Sequence, residues 1–254
     1  MRVKRRRIPK ALVVMGVGLG AVCLLIAPVA STRQGVNFQV SQHRIPPYVK
    51  AIDFLHRHYA YQRLAREITE GKTTDDARVL AVFNWTREHI QPMPKGWPVI
   101  DDHILNIIIR GYGLGDQMAD VFTTLSTYAG VPAFWKDLRA SDTPGVLVLS
   151  FAKIDGQWVI VDVADGLIFR MPDGSLADAA ALVENPPVLK TVVQARTRSG
   201  IEYWRYLETM RPFSVPNTLR AQQQMPGPRL WFELRRALHL AGAYDQTRWA
   251  LHAR

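Results

Sequence analysis

An α+β fold, with helices packed on an antiparallel sheet behind an N-terminal transmembrane helix, is predicted by three observations. An uncharged run from Ala11 to Ala30 follows a basic amino terminus, and helix-type apolar spacing fills much of the region from Tyr48 to Ala129. From Val131 the apolar pattern changes to period two, with a two-residue Asp-Gly turn between strands. The 254 residues, 48% hydrophobic and 21% charged, suffice for one large or two small domains around a core, which excludes wholesale disorder.

The Ala11–Ala30 run has 20 residues without a charge, enough as a helix to cross roughly 30 Å of hydrocarbon. The net charge is +10, but Arg2, Lys4, Arg5, Arg6, Arg7 and Lys10 all precede this run, so the rest of the chain is only mildly basic. Charge gathered ahead of an apolar segment, rather than spread over a folded face, argues against nucleic acid as a partner. The positive-inside rule then gives a basic cytoplasmic tail (1–10), a transmembrane helix or signal anchor (11–30) and an extracytoplasmic remainder. The expected location is the inner (plasma) membrane, single-pass. Secretion after cleavage at Val29-Ala30-Ser31 is the alternative, although the apolar run is longer than a usual signal core. Gly16 and Gly20 form a G-x-x-x-G that offers a homodimer face. The single cysteine, Cys23, excludes a disulfide framework.

Residues 31–47 read as a polar linker ending in Pro46-Pro47. Tyr48 to Glu70 shows helical spacing through Ile52, Leu55, Tyr59 and Leu64 before Gly71 stops it. A second helix starts at the Thr73-Thr74-Asp75-Asp76 cap and is expected to bury Ala77, Leu80, Ala81 and Trp85 before Gln91-Pro92. Pro92, Pro94, Gly96 and Pro98 make a rigid loop. Ile104 to Ile109 fits strand or helix, since periodicity cannot decide over so short a run. Gly111, Gly113 and Gly115 then lead into a helix from about Asp116 to Ala129, with Val121, Phe122 and Leu125 inward. Strands are predicted over 131–136, 146–153 and 158–163, with Asp155-Gly156 as the hairpin turn that makes the last two antiparallel. Short helices follow. The final one, led by Gly227-Pro228, carries Arg229, Arg235, Arg236 and Glu233 beside Leu230, Leu234 and Leu238. Its plain reading packs that leucine stripe on its own domain; the sharper one lays it on a membrane surface or a partner. These boundaries give a main domain over 48–212 and a C-terminal helical extension over 213–254.

Three blocks within residues 74–170 resemble the transglutaminase-like superfamily, a branch of the papain-like cysteine peptidase fold. Ala77-Arg78-Val79-Leu80-Ala81-Val82-Phe83-Asn84-Trp85 with Ile90 is similar to that family's entry helix. Arg110-Gly111-Tyr112-Gly113-Leu114-Gly115-Asp116-Gln117-Met118-Ala119, followed by Ala129-Gly130-Val131-Pro132-Ala133, is similar to its nucleophile helix and the turn after it. Asp155-Gly156-Gln157-Trp158-Val159-Ile160-Val161-Asp162 is similar to its final strand pair.

The chemistry of that family implies a cysteine at the helix start, its thiol pKa lowered by the helix and a histidine, and a carboxylate or amide holding the histidine. Here the cysteine position falls on Gly115 and the histidine position on Leu147. Only the third member of this remnant triad survives, as Asp162. No residue from 104 to 238 is histidine, and Ser126 or Ser150 without a base is a poor nucleophile. The resemblance therefore implies the fold without the activity, in a pseudoenzyme. It also implies a binding or scaffolding role toward a peptide, glycan or protein in a bacterial-type envelope, the setting of the family's commonest membrane-anchored members.

Two alternatives stand beside this reading. A hydrolase or acyltransferase of altered chemistry would use Asp162 with Asp116 or His103, provided they converge; Gln117 and Trp135 are further candidates for lining the same cleft. A nucleotide-binding module at Gly111 to Asp116 would need Ile104–Ile109 as a strand. Against it, Asp116 puts a carboxylate where pyrophosphate would bind. His103 with Asp101 and Asp102 falls short of the ligand set of a tight metal site, so no metal and no cofactor is expected.

Overall fold

The computed structural model describes residues 26–34, 40–97, 103–140 and 145–237, apart from Pro172, Gln194, Ser199 and Thr218. The basic tail, Gly16, Gly20, Cys23, Asp101 and Asp102 lie outside the described residues, as does the Ala11–Ala30 run up to Leu25. Among the described residues no helix is long and apolar enough to cross a membrane. The chain forms two compact units, residues 1–56 and 57–254.

In the first unit, β1 (Val29–Gln34) and β2 (Val40–Ile45) pair antiparallel, Val29 opposite Ile45 and Gln34 opposite Val40. The expected linker over 31–47 is thereby corrected. Its polar side chains were the basis for that reading, but backbone groups still seek partners, and a ladder supplies them. Val29 and Ala30, the end of the apolar run, belong to this strand.

Helix α1 (Pro47–Ile68) opens on a proline, whose missing N–H costs nothing at that position. It runs on into the second unit, where it buries Tyr61 and Ala65. Ile52, Leu55 and Tyr59, expected to face a core, are exposed. Helix α2 (Asp75–His89) buries Val79, Val82, Phe83 and Thr86, so its inward seam is rotated from the expected Ala77, Leu80, Ala81 and Trp85, which are half-buried.

The undecided segment is a helix, α3 (Ile104–Arg110), closed by Gly111 in the left-handed conformation at φ 72°. The glycine turn then lies against the chain after α2: β3 (Gln91–Pro92) pairs parallel with β4 (Tyr112–Gly113). Gly113 is required by close packing. A Cβ there would stand 3.2 Å from that of Gln117 and 3.4 Å from methyls of Ile90 and Ile107.

Helix α4 (Gly115–Tyr128) follows, buried continuously from Gln117 to Thr127. It packs between α2 and a four-stranded antiparallel sheet of β5 (Ala133–Leu138), β6 (Leu147–Ile154), β7 (Gln157–Asp162) and β8 (Leu167–Ile168), in that order. Asp155 (φ 48°) and Gly156 (φ 86°) make the β6–β7 turn, both left-handed as a type I′ turn demands. The sheet is covered on both faces. Ala152, Ile154, Val159 and Val161 join the core with helices α1 to α4, while Leu149, Phe151 and Ile160 join a second core. That second core is built with α5 (Ala179–Glu184), α6 (Pro186–Val192) and α7 (Tyr203–Leu207).

The predicted boundary at 213 is not a structural one. A 3₁₀ turn at Arg220–Gln224 packs on α4 and β5, with Arg220 Nη2 2.8 Å from Asp120 Oδ2 and the Tyr128 hydroxyl donating to Gln224 O at 2.7 Å. Helix α8 (Pro226–Ala237) follows. Its buried residue is Phe232, whereas Leu230 and Leu234 are exposed, contrary to the plain reading of the leucine stripe.

The nucleotide-module alternative fails on this topology. Residues 104–110 are helical, and the strand after Gly130 joins an antiparallel sheet, so no wound βαβ unit is present there.

Trp135 Nε1 donates to the buried Asp120 carboxylate at 2.6 Å. Trp135→Phe keeps an aromatic ring in place but removes that donor and part of the indole's volume, so unfolding stability should fall by about 1–3 kcal/mol. Urea titration should show a lower midpoint at unchanged slope; an unchanged midpoint would show that this bond contributes nothing.

Candidate functional site

Four segments meet at one end of the sheet. The start of α4 brings Gly115 and Asp116, and the start of β6 brings Leu147 and Val148. Asp162 ends β7, with Ala164 and Asp165 in the turn after it, and the α7 region brings Thr197, Arg198 and Tyr206. Together with Gly145 and Val146 they line a cleft of about 460 Å³. Gly115, Leu147 and Asp162 are thus brought together, with Asp116 beside them. Val161 pairs with Ser150, so Asp162 falls beside Leu149 in register and on the same sheet face as Leu147.

Nothing local bars a side chain at Gly115: a Cβ would meet only Ala164 Cβ, at 3.7 Å, an ordinary contact. The position is open and empty. Leu147 is buried in the second core.

Asp162, at 1% exposure, has other partners. Its Oδ1 accepts from the Asp165 backbone N–H at 2.8 Å and its Oδ2 from the Tyr203 hydroxyl at 2.8 Å. Burial pushes its carboxyl above the usual range, and these two hydrogen bonds pull it back in part. Burial and the neighbouring carboxylate hold the Tyr203 phenol far above its ordinary value, so it remains a donor. The same hydroxyl lies 3.0 Å from Asp165 Oδ2. Asp165 in turn pairs with Arg198, Nε to Oδ1 at 2.7 Å, and Arg198 Nη2 donates to Ala164 O at 2.7 Å. The charged lining is therefore three carboxylates, Asp116, Asp162 and Asp165, against one guanidinium.

Three expected cleft residues sit elsewhere. Gln117 folds back as a cap, its Oε1 accepting from Leu114 N–H at 3.1 Å and from Arg110 Nη2 at 3.3 Å. Trp135 is committed to Asp120. His103 is exposed at the start of α3, outside the cleft lining, so of the altered-chemistry set only Asp116 and Asp162 converge. Ser126 and Ser150 are buried with no hydrogen-bond partner at their hydroxyls and do not line the cleft. Among the described residues no three His, Cys, Asp or Glu side chains are grouped as metal ligands. Sequence reasoning missed Asp165, Arg198, Tyr203 and Tyr206. Asp165 had a local signal, in the Asp162-x-x-Asp165-Gly166 turn; the others arrive from over 30 residues away with none.

No protein-family profile matches the chain, and no curated protein matches it. Solved structures give partial overlaps. A candidate cysteine protease from Cytophaga hutchinsonii is 20% identical over 48% of this chain and 41% of its own, with a TM-score of 0.39. A candidate protease from Parabacteroides distasonis is 13% identical over 56% of this chain and 39% of its own, at 0.33. A structure described as a TGase is 11% identical over 63% of this chain and 48% of its own, at 0.35. The chain spans less than half the length of each.

Two predictions follow from the geometry. Asp162→Asn keeps one oxygen to accept from the Asp165 N–H, places an amide N–H where the Tyr203 oxygen can accept it while the Tyr203 O–H turns to Asp165 Oδ2, and removes the buried charge. Because the folded pKa of Asp162 lies above its unfolded value, the wild type loses stability as pH rises from the unfolded pKa through the folded one. The variant should therefore unfold at a higher temperature than wild type near pH 7, with the gap closing toward pH 4; a constant gap across that range would refute the assignment. Gly115→Cys should match wild-type stability or exceed it by up to about 1 kcal/mol, since glycine at a helical position carries an entropic penalty. A clear loss on thermal melting would show that the position is closed.

Proposed function

We propose that the chain is a membrane-anchored, catalytically inactive transglutaminase-like protein with a binding or scaffolding role in the cell envelope. The observation that carries this reading is the cleft itself. Gly115, Leu147 and Asp162 all line it, and among the described residues its lining contains neither a thiol nor an imidazole. A serine or threonine nucleophile would need a base to take its proton. The hydroxyls among the described lining residues are those of Thr197, which accepts from Ile201 N–H at 3.1 Å, and Tyr206. What survives is concavity with polar groups at one end. About 460 Å³ is in the size range of clefts that hold small ligands or a side chain of a larger partner. A peptide, glycan or protein segment is the class of ligand proposed, and the part of the Ala11–Ala30 run that precedes β1 supplies the tether.

One observation favours a second reading, a hydrolase or acyltransferase of altered chemistry. Asp116 and Asp162 share the cleft in different environments, one exposed at a helix start and one buried, which is how paired carboxylates divide acid and base roles.

The deciding experiment is turnover by the wild-type protein. Full-length chain in detergent, incubated with peptide amides and esters, is expected to release product at the buffer rate, as is Asp162→Ala. Turnover above that rate, abolished by Asp162→Ala, would overturn the non-catalytic reading and establish the second.

A further inference from the structure

Helix α8 has two apolar sides, and the domain uses only one. At about 100° per residue, Leu230, Leu234 and Trp231 fall within roughly a quarter-turn arc, and Phe232 falls on the opposite side. Phe232 is buried against the domain, whereas Leu230 is 71%, Trp231 58% and Leu234 46% exposed. Arg235 borders the outward stripe just past Trp231, its guanidinium 5.8 Å from that ring. The other edge carries Glu233, paired at 2.6 Å with Arg229, whose guanidinium stands 5.8 Å from the inward Phe232 ring. The helix is net positive: its sequence has Arg229, Arg235 and Arg236 against Glu233.

We infer that the outward face of α8 docks on an anionic phospholipid surface. Tryptophan and leucine enter the boundary between headgroups and acyl chains, while the flanking arginine stays with the phosphates. The positive surplus complements anionic lipid, and Arg235 over Trp231 places one cation at the depth where headgroup phosphate lies. Three apolar side chains and a few arginines bind a bilayer weakly and reversibly. The proposal therefore rests in part on the membrane reading of residues 11–30, since a tether keeps α8 at high effective concentration beside the bilayer. Docking at a second point would confine the domain and its cleft near the membrane surface.

The test uses the full chain carrying Cys23→Ser and Leu234→Cys, with an environment-sensitive fluorophore on the new thiol, mixed with vesicles and then floated. Vesicles are phosphatidylcholine alone or phosphatidylcholine with phosphatidylglycerol. A second protein, Cys23→Ser with Gln157→Cys, places the dye on the exposed start of β7. The expected result is blue-shifted emission at position 234 only with phosphatidylglycerol, none at 157, and a several-fold loss of the shift in high salt or with Arg235→Gln. Co-flotation with emission at 234 unchanged would overturn the docking proposal and leave the anchor standing. Failure to float, with no shift, would overturn both. Burial of the dye at 234 whatever the lipid would mean that the face is covered by a second copy or by the chain's own carboxyl-terminal segment, and would also overturn it.

Discussion

Helix α4 enters the second unit with its Gln117–Thr127 stretch out of water on every side, and about half of those side chains are polar. Each such group must be satisfied internally or left at a cost. Thr123 and Thr127 return their hydroxyls to carbonyls one turn back, at 2.8 and 2.7 Å. Asp120 takes the Trp135 indole and the Arg220 guanidinium, which fixes strand β5 and the C-terminal 3₁₀ turn to the helix. Gln117 closes the amino-terminal turn on Leu114, and that closure is what crowds Gly113. The glycine-rich turn, the docked C-terminal segment and the position of Gly115 at the cleft all follow from burying this one helix.

The same dependence decides what could be read from the sequence. Strands β5 to β7, their antiparallel order and the Asp155-Gly156 turn were legible because each rests on neighbours in sequence. So was α4, bounded by Gly115 and Gly130. Inward faces were less legible: α2 is rotated by a residue or two, and the α1 residues Ile52, Leu55 and Tyr59 point outward, because apolar spacing gives a stripe and not the direction of the core. The β1–β2 pair escaped notice since its polar side chains conceal a backbone ladder. In the cleft, Gly115, Leu147 and Asp162 could be placed from three local blocks. Tyr203 and Arg198 could not, since no local pattern announces a hydrogen bond spanning 41 residues or an ion pair spanning 33.

Asp162 shows how a buried carboxylate is held at the wall of the cleft. A buried carboxylate without donors is costly, and removing one partner of such a group leaves the whole desolvation penalty behind. Here a phenol and a backbone N–H supply what an imidazole on β6 does not. Tyr203 spans Asp162 and Asp165, and Arg198 neutralises the outer carboxylate, so the turn after β7 is tied to α7. These contacts stabilise the cleft wall.

Under the proposed function, a cleft fixed in this way is preorganised to hold a partner, and that bears on the tether and on α8. A catalyst needs its substrate only for the duration of a reaction, whereas a scaffold must hold its partner in place. Under the proposed function, the weak membrane affinity of Leu230, Trp231 and Leu234 is an advantage: it orients the domain without competing with the partner for the cleft, because the outward face of α8 shares no residue with the cleft lining. Phe232 on the opposite side ties the exposed stripe to the domain. The Arg220–Asp120 and Tyr128–Gln224 contacts carry that attachment from the residues just before α8 to helix α4, whose first turn forms the cleft.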